Sequence, residues 1–197
     1  MAFMAKRRAI AHYNAGTRLL YNASSAEALA KAIKHFQEAT KLDPSFAYAF
    51  HNLAYAWYIV SEGFISASAR PHFWINVYEG KGILKDHTDA EGFITSVLEA
   101  GLNAVDQALT IRYEFPQAHN TRAMILAKLF RLDEALKATE VALAQAPDYK
   151  NASENQGKVK EMIGRRASLG YNDDSTFLEY VKEQTRTQSQ ILKDLMK

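Results

Sequence analysis

HNTRAMILAKLFRLDEALKATEVALAQAP, from His119 to Pro147, reads as two short helices joined by a tight turn. Apolar residues recur at helical spacing, and small residues stand where two helices must touch. With Pro116 as position 1 of a 34-residue unit, Ala123 falls at 8, Leu126 at 11, Ala135 at 20, Ala142 at 27 and Pro147 at 32. Small residues let helix backbones approach, the leucine fills the remaining gap, and proline stops the second helix.

The same pattern extends upstream. Ala32, Phe36, Ala39 and Pro44 take positions 20, 24, 27 and 32 of an earlier unit, whose first helix needs about four extra loop residues to bring Gly16 to position 8. From Ala47, the residues Phe50, Leu53, Ala54 and Trp57 fall at 4, 7, 8 and 11. The register is lost after Tyr58 and returns at Gly101, Val105, Ala108 and Leu109, at positions 20, 24, 27 and 28. The unit starts at 47 and 116 lie 69 residues apart, two periods plus one residue. Either one repeat carries an insertion of about 35 residues, or a second repeat has degenerated. Helical spacing from about Asp89 to Arg112, roughly 36 Å of helix, favours the insertion. The opposing helix can run from near Phe46 to about Ser68, so both would be overlong at one end.

Small–large–small spacing of this kind resembles the tetratricopeptide repeat. The resemblance is strongest over 116–149 and extends more weakly over most of the chain. It implies an all-α fold, a short right-handed array of three to four helical hairpins. The whole chain, 1–197, is then one domain. Repeat 1 spans 5–44, repeat 2 spans 47–115 with its insertion at about 61–88, and repeat 3 spans 116–149. A terminal capping helix (150–167) and a C-terminal helix (175–196) complete it. Ser24 with Glu27, and Thr88 with Glu91, read as capping boxes that open helices. The stretch YNAGTRLLYNASSAEALAKAIKHFQEATKLDPSFAYAFHNLAYAWY is also similar to repeat modules found behind bacterial nucleotide cyclases and winged-helix transcription regulators.

In tetratricopeptide repeats the first helix of each pair lines a concave face. The resemblance therefore implies a partner-binding groove built from Tyr48, His51, Asn52, Tyr55, Tyr58 and Ile59, facing Gln117, Asn120, Thr121, Met124, Ala127 and Lys128. Of these, with the tyrosines foremost, Tyr48, His51, Asn52, Tyr55, Tyr58, Asn120, Met124 and Lys128 are the candidate partner-binding residues. The bland reading of the tyrosines is that the long hairpin or C-terminal helix covers them. Chaperone-binding members clamp a peptide's terminal carboxylate with Lys, Arg and Asn. Asn52 matches the clamp asparagine, but His51, Gln117 and Thr121 stand where basic residues belong, so chaperone C-termini are not expected ligands. A second candidate surface is the apolar insertion, with Phe73, Trp74 and Tyr78.

Composition narrows the function classes. Residues 1–100 hold 10 Lys/Arg against 9 Asp/Glu and the remainder 14 against 13, so neither nucleic acid nor an anionic membrane is an expected partner. With no cysteine, disulfides, thiolate metal sites and a Cys nucleophile are excluded. The six histidines make no i, i+4 pair with a nearby acid, Gly80-Lys81-Gly82 lacks the rest of a phosphate loop, and no GxSxG elbow occurs. The acids at 86, 89 and 91 beside His87 read as helix-start residues. The expectation is no catalytic residue, no cofactor and no metal: a non-enzymatic scaffold that takes a peptide or helix of a partner protein. The alternative is a self-associating structural or regulatory subunit, a homodimer included, using the 61–88 insertion or the C-terminal helix. Charge at Lys6, Arg7 and Arg8 interrupts any signal-peptide core, and a cytoplasmic location is expected.

Overall fold

A computed structural model describes residues 2–23, 25–66 and 90–195. The regular structure there is α-helix: α1 (Ala2–Tyr21), α2 (Ala26–Leu42), α3 (Ala47–Ser66), α4 (Ala90–Ile111), α5 (Pro116–Lys128), α6 (Leu132–Gln145), α7 (Lys150–Ser168) and α8 (Asp174–Leu195). Hairpin partners are α1 with α2, α3 with α4, and α5 with α6, while α7 packs on α6. The odd-numbered helices α1, α3, α5 and α7 also touch in succession, forming one layer of a stacked hairpin array. With 20 and 22 residues, α3 and α4 exceed the 13 and 14 of α5 and α6. At about 1.5 Å per residue, α4 is roughly 33 Å long.

Small-into-large packing holds the array together. Ala32, Phe36, Ala39, Ala54, Trp57, Val105, Ala108, Ala123, Leu126, Ala135 and Ala142 are all buried. A Cβ placed on Gly16 would lie 2.8 Å from the buried Phe36 ring, and one on Gly101 3.2 Å from Ile125 Cδ1. Glycine is the residue that allows both approaches. Pro116 opens α5 at its first turn, where its missing N–H costs nothing.

The helix ends depart from expectation in places. Ser25, one residue later than the sequence reading, caps α2 by accepting the Ala28 N–H at 3.2 Å. This puts Glu27 at the second helical position, so the capping box does not form. Ser24 and Thr88 lie outside the described residues, as does most of the expected insertion, from 67 to 88. At the end of α5 the Arg131 N–H reaches the Leu126 carbonyl at 2.9 Å. Phe130, inside that loop, has φ 58°, a left-handed conformation that costs a side-chain-bearing residue roughly 1 kcal/mol. Gly170 closes α7 through the same bond pattern without that cost, its φ being 80°.

Those two loops meet α8. The buried Phe177 ring lies 6.1 Å from Phe130 and 5.9 Å from Tyr171. Asp174 accepts the Leu132 N–H at 2.7 Å, capping α6 from another helix, and pairs with Arg166, which also grips Asp133. Asp173 caps α8 itself by accepting the Thr176 N–H at 2.8 Å. Donation from Ser175 and Thr176 holds its carboxyl down at about 2.

Candidate partner-binding groove

Helix residues three and four apart share a face. On α3 the face opposite Leu53 and Trp57 carries His51, Asn52, Tyr55 and Tyr58. On α5 the corresponding stripe is Gln117, Asn120, Thr121, Met124 and Lys128. On α7, with Ala152 and Val159 buried, Asn151, Glu154, Asn155, Lys158 and Met162 are brought to the same side. Together they line two adjoining cavities. One, of about 420 Å³, is bounded by Tyr21, His51, Asn52, Tyr55, Gln117, Asn120, Thr121, Tyr149, Asn151 and Glu154. The other, of about 360 Å³, is bounded by Tyr58, Ala123, Ala127, Lys128, Phe130, Lys158, Val159 and Met162. Met124 and Asn155 belong to both, so the cavities form one groove.

The first compartment is amide-rich, with Glu154 as its acidic side chain. Asn155 donates to Asn120 Oδ1 at 2.9 Å, and Asn52 donates to Thr17 Oγ1 at 3.1 Å. His51 Nε2 and Thr121 Oγ1 lie 3.0 Å apart, and the His51 ring packs 4.9 Å from Phe115. Burial pushes the His51 imidazole down to about 4, so it is neutral near pH 7. Tyr149 is raised, chiefly by burial and also by the neighbouring Tyr55 and Tyr21, with a hydrogen bond from Asn120 opposing. An amide has two donors and two lone pairs, so Asn155 retains capacity toward the open side.

The second compartment is mainly apolar. Met124 and Met162 supply adaptable walls. Tyr58 stacks on Tyr55, with ring centroids 6.3 Å apart at 13°, and its hydroxyl is pushed up to about 12 by burial and by Glu62. Lys128 is paired with Glu62.

Seven of the eight groove candidates, His51, Asn52, Tyr55, Tyr58, Asn120, Met124 and Lys128, line these compartments. Tyr48 lies outside both. Its ring meets Phe115 edge-on at 5.0 Å, and its hydroxyl accepts a hydrogen bond from Arg112. The buried Phe115 ring sits between Tyr48 and His51 and separates their surroundings. Phe73, Trp74 and Tyr78 lie outside the described residues. The α7 contribution was missed because α7 reads as a polar cap. The period continues with Lys150 as position 1 and Gly157 as position 8, and the same count puts Asn151, Glu154, Asn155, Lys158 and Met162 at the inner positions 2, 5, 6, 9 and 13. Tyr21 and Tyr149, at helix ends, carry no such signal.

A further apolar cleft of about 620 Å³ separates α8 from the array, lined by Ile94, Leu98, Leu129, Phe130, Leu178 and Val181. Among the described residues no group of three His, Asp or Glu side chains could hold a metal, and no helix is long and apolar enough to cross a membrane.

Solved structures share this architecture. The first tetratricopeptide-repeat domain of human RPAP3, determined by NMR, aligns with a TM-score of 0.60 at 13% identity, covering 83% of this chain and 98% of that one. The Arabidopsis OM64 domain gives 0.57 at 16% identity, covering 80% and 98%. The first such domain of Spaghetti (RPAP3), bound to the HSP90 peptide SRMEEVD, gives 0.57 at 14% identity, covering 81% and 95%. No family model and no curated protein matches the sequence. The chain thus has the tetratricopeptide-repeat fold, all-α and built of helical hairpins.

Proposed function

We propose that this protein is a non-enzymatic interaction module whose concave groove takes an extended peptide segment of a partner protein. The observation that carries this reading is the two-compartment groove on α3, α5 and α7. Amides and neutral hydroxyls in one half suit the donors and acceptors of a peptide main chain, while Met124, Met162 and Tyr58 in the other half suit an apolar side chain. A domain of the same fold binding an HSP90 peptide supports the class of ligand. The ligand chemistry differs from that acidic sequence. The amide compartment offers neutral His51, Gln117 and Thr121, and its charged wall is the carboxylate of Glu154.

The test is panning of displayed octapeptides, each with one fixed leucine, on the full chain. Selected peptides should lose affinity about tenfold or more with Tyr55→Ala or Met124→Glu, while the thermal midpoint stays within a few degrees, since both side chains face the groove. SRMEEVD should bind more weakly than the selected sequences. An empty selection, or affinities that ignore both substitutions, would refute the reading.

A further inference from the structure

Resting on the groove reading, we infer that the compartment walled by Tyr21, Tyr55, Tyr149 and Glu154 is a receptor for a lysine or arginine side chain of the bound peptide. Twelve residues line that compartment, and with His51 neutral the single formal charge among them belongs to Glu154. A carboxylate beside aromatic rings is the combination that attracts a cation. The carboxylate supplies charge, and each tyrosine supplies a negative ring face and a phenolic oxygen lone pair. The three tyrosines line the same compartment as Glu154. Burial raises Tyr149, so its hydroxyl is neutral near pH 7 and adds no second full charge beside Glu154.

Among the described residues Glu154 has one ion-pair partner. Its contact is Lys150 Nζ at 3.8 Å, with side chains 85% and 56% exposed, a loose surface pair that an incoming ammonium or guanidinium can replace. The other end of the groove has the opposite polarity. Lys158 lines the apolar compartment, and Lys128 there is already paired with Glu62. A bound segment would therefore place its basic residue at the Glu154 end and its apolar residue at the Met124 and Met162 end. Along α7, Glu154 precedes Val159 by five residues and Met162 by eight, about 7–12 Å of helix. At about 3.3 Å per extended residue, the basic and apolar side chains should stand roughly two to four residues apart.

The same octapeptide panning tests this. Lys or Arg should be enriched at one fixed offset, about two to four residues from the leucine. Glu154→Gln should weaken the best basic peptide about fivefold to tenfold, leaving its glutamine-substituted counterpart unchanged. Glu154→Lys should turn the preference toward Asp or Glu at that offset. Both changes are on an exposed side chain and should leave the thermal midpoint in place. Peptides selected without a basic preference, or a preference that survives Glu154→Gln, overturn this inference while leaving the groove intact. An empty selection overturns both.

Discussion

Gly16 and Gly157 occupy the same position of their repeats and meet opposite surroundings. A methyl group on Gly16 would press into the Phe36 ring, which is fully buried and flanked by Tyr13, so the ring has nowhere to swing. Around Gly157 nothing lies within 4 Å. Gly16→Ala should therefore destabilise by about 1–3 kcal/mol through overpacking. Gly157→Ala should stabilise by up to about 1 kcal/mol through helix propensity. In a chain of this size each kcal/mol moves the thermal midpoint about 2–4 °C, so calorimetry resolves the opposite signs. Equal shifts from the two variants would contradict this packing.

At the scale of elements, α8 is the helix whose described residues touch the array least. Its first turns are clipped by Asp174 to Arg166 and to the Leu132 N–H, and Phe177 stacks against Phe130 and Tyr171. Beyond them, Leu178 and Val181 face an open apolar cleft. Arg166 is 9% exposed and joins α7 to both α6 and α8, so removing it leaves Asp133 and Asp174 beside each other without their cation. Arg166→Ala should cost roughly 1–3 kcal/mol, between exposed and buried ion pairs. Its signature should be local: faster tryptic cleavage at Lys182 and Arg186, with amide exchange in α1–α5 unchanged. An unaltered cleavage pattern would show that the aromatic stack and the Asp174 bond to the Leu132 N–H hold α8 without Arg166.

Across the whole molecule, acid stability should be set first by histidines held neutral. His51 is depressed to about 4, while His35 and His119 are lowered, in each case chiefly by burial. A depressed histidine takes up its proton more readily when unfolded. Stability is therefore fully present above the unfolded value near 6.5 and falls as pH drops toward the folded value. For His51 the loss is on the order of 2–3 kcal/mol between pH 7 and pH 4. Below about pH 4 a second decline should follow, as Glu134 and Asp173, whose folded values are lowered, take up protons in the unfolded chain. Urea midpoints measured across pH would show both stages, and His51→Asn should flatten the first. A midpoint independent of pH from 7 to 4 would overturn this assignment.

The sequence by itself determined the repeat and its contact surface. Spacing along one helix decides which residues share a face, and small residues at positions 8, 20 and 27 mark where helices meet. Ala123, Ala135 and Ala142 are buried accordingly. It also singled out His51, Tyr55, Asn120 and Met124, because those inner positions follow from the same count. Only the tertiary structure decided which inner residues share a cavity. Phe115 turns Tyr48 toward Arg112, while α7, polar along its length, supplies Glu154, Asn155 and Met162 to the groove. A groove is a relation among three helices and two helix ends. Its membership depends on how those elements are stacked, which the local periodicity of any one of them does not contain.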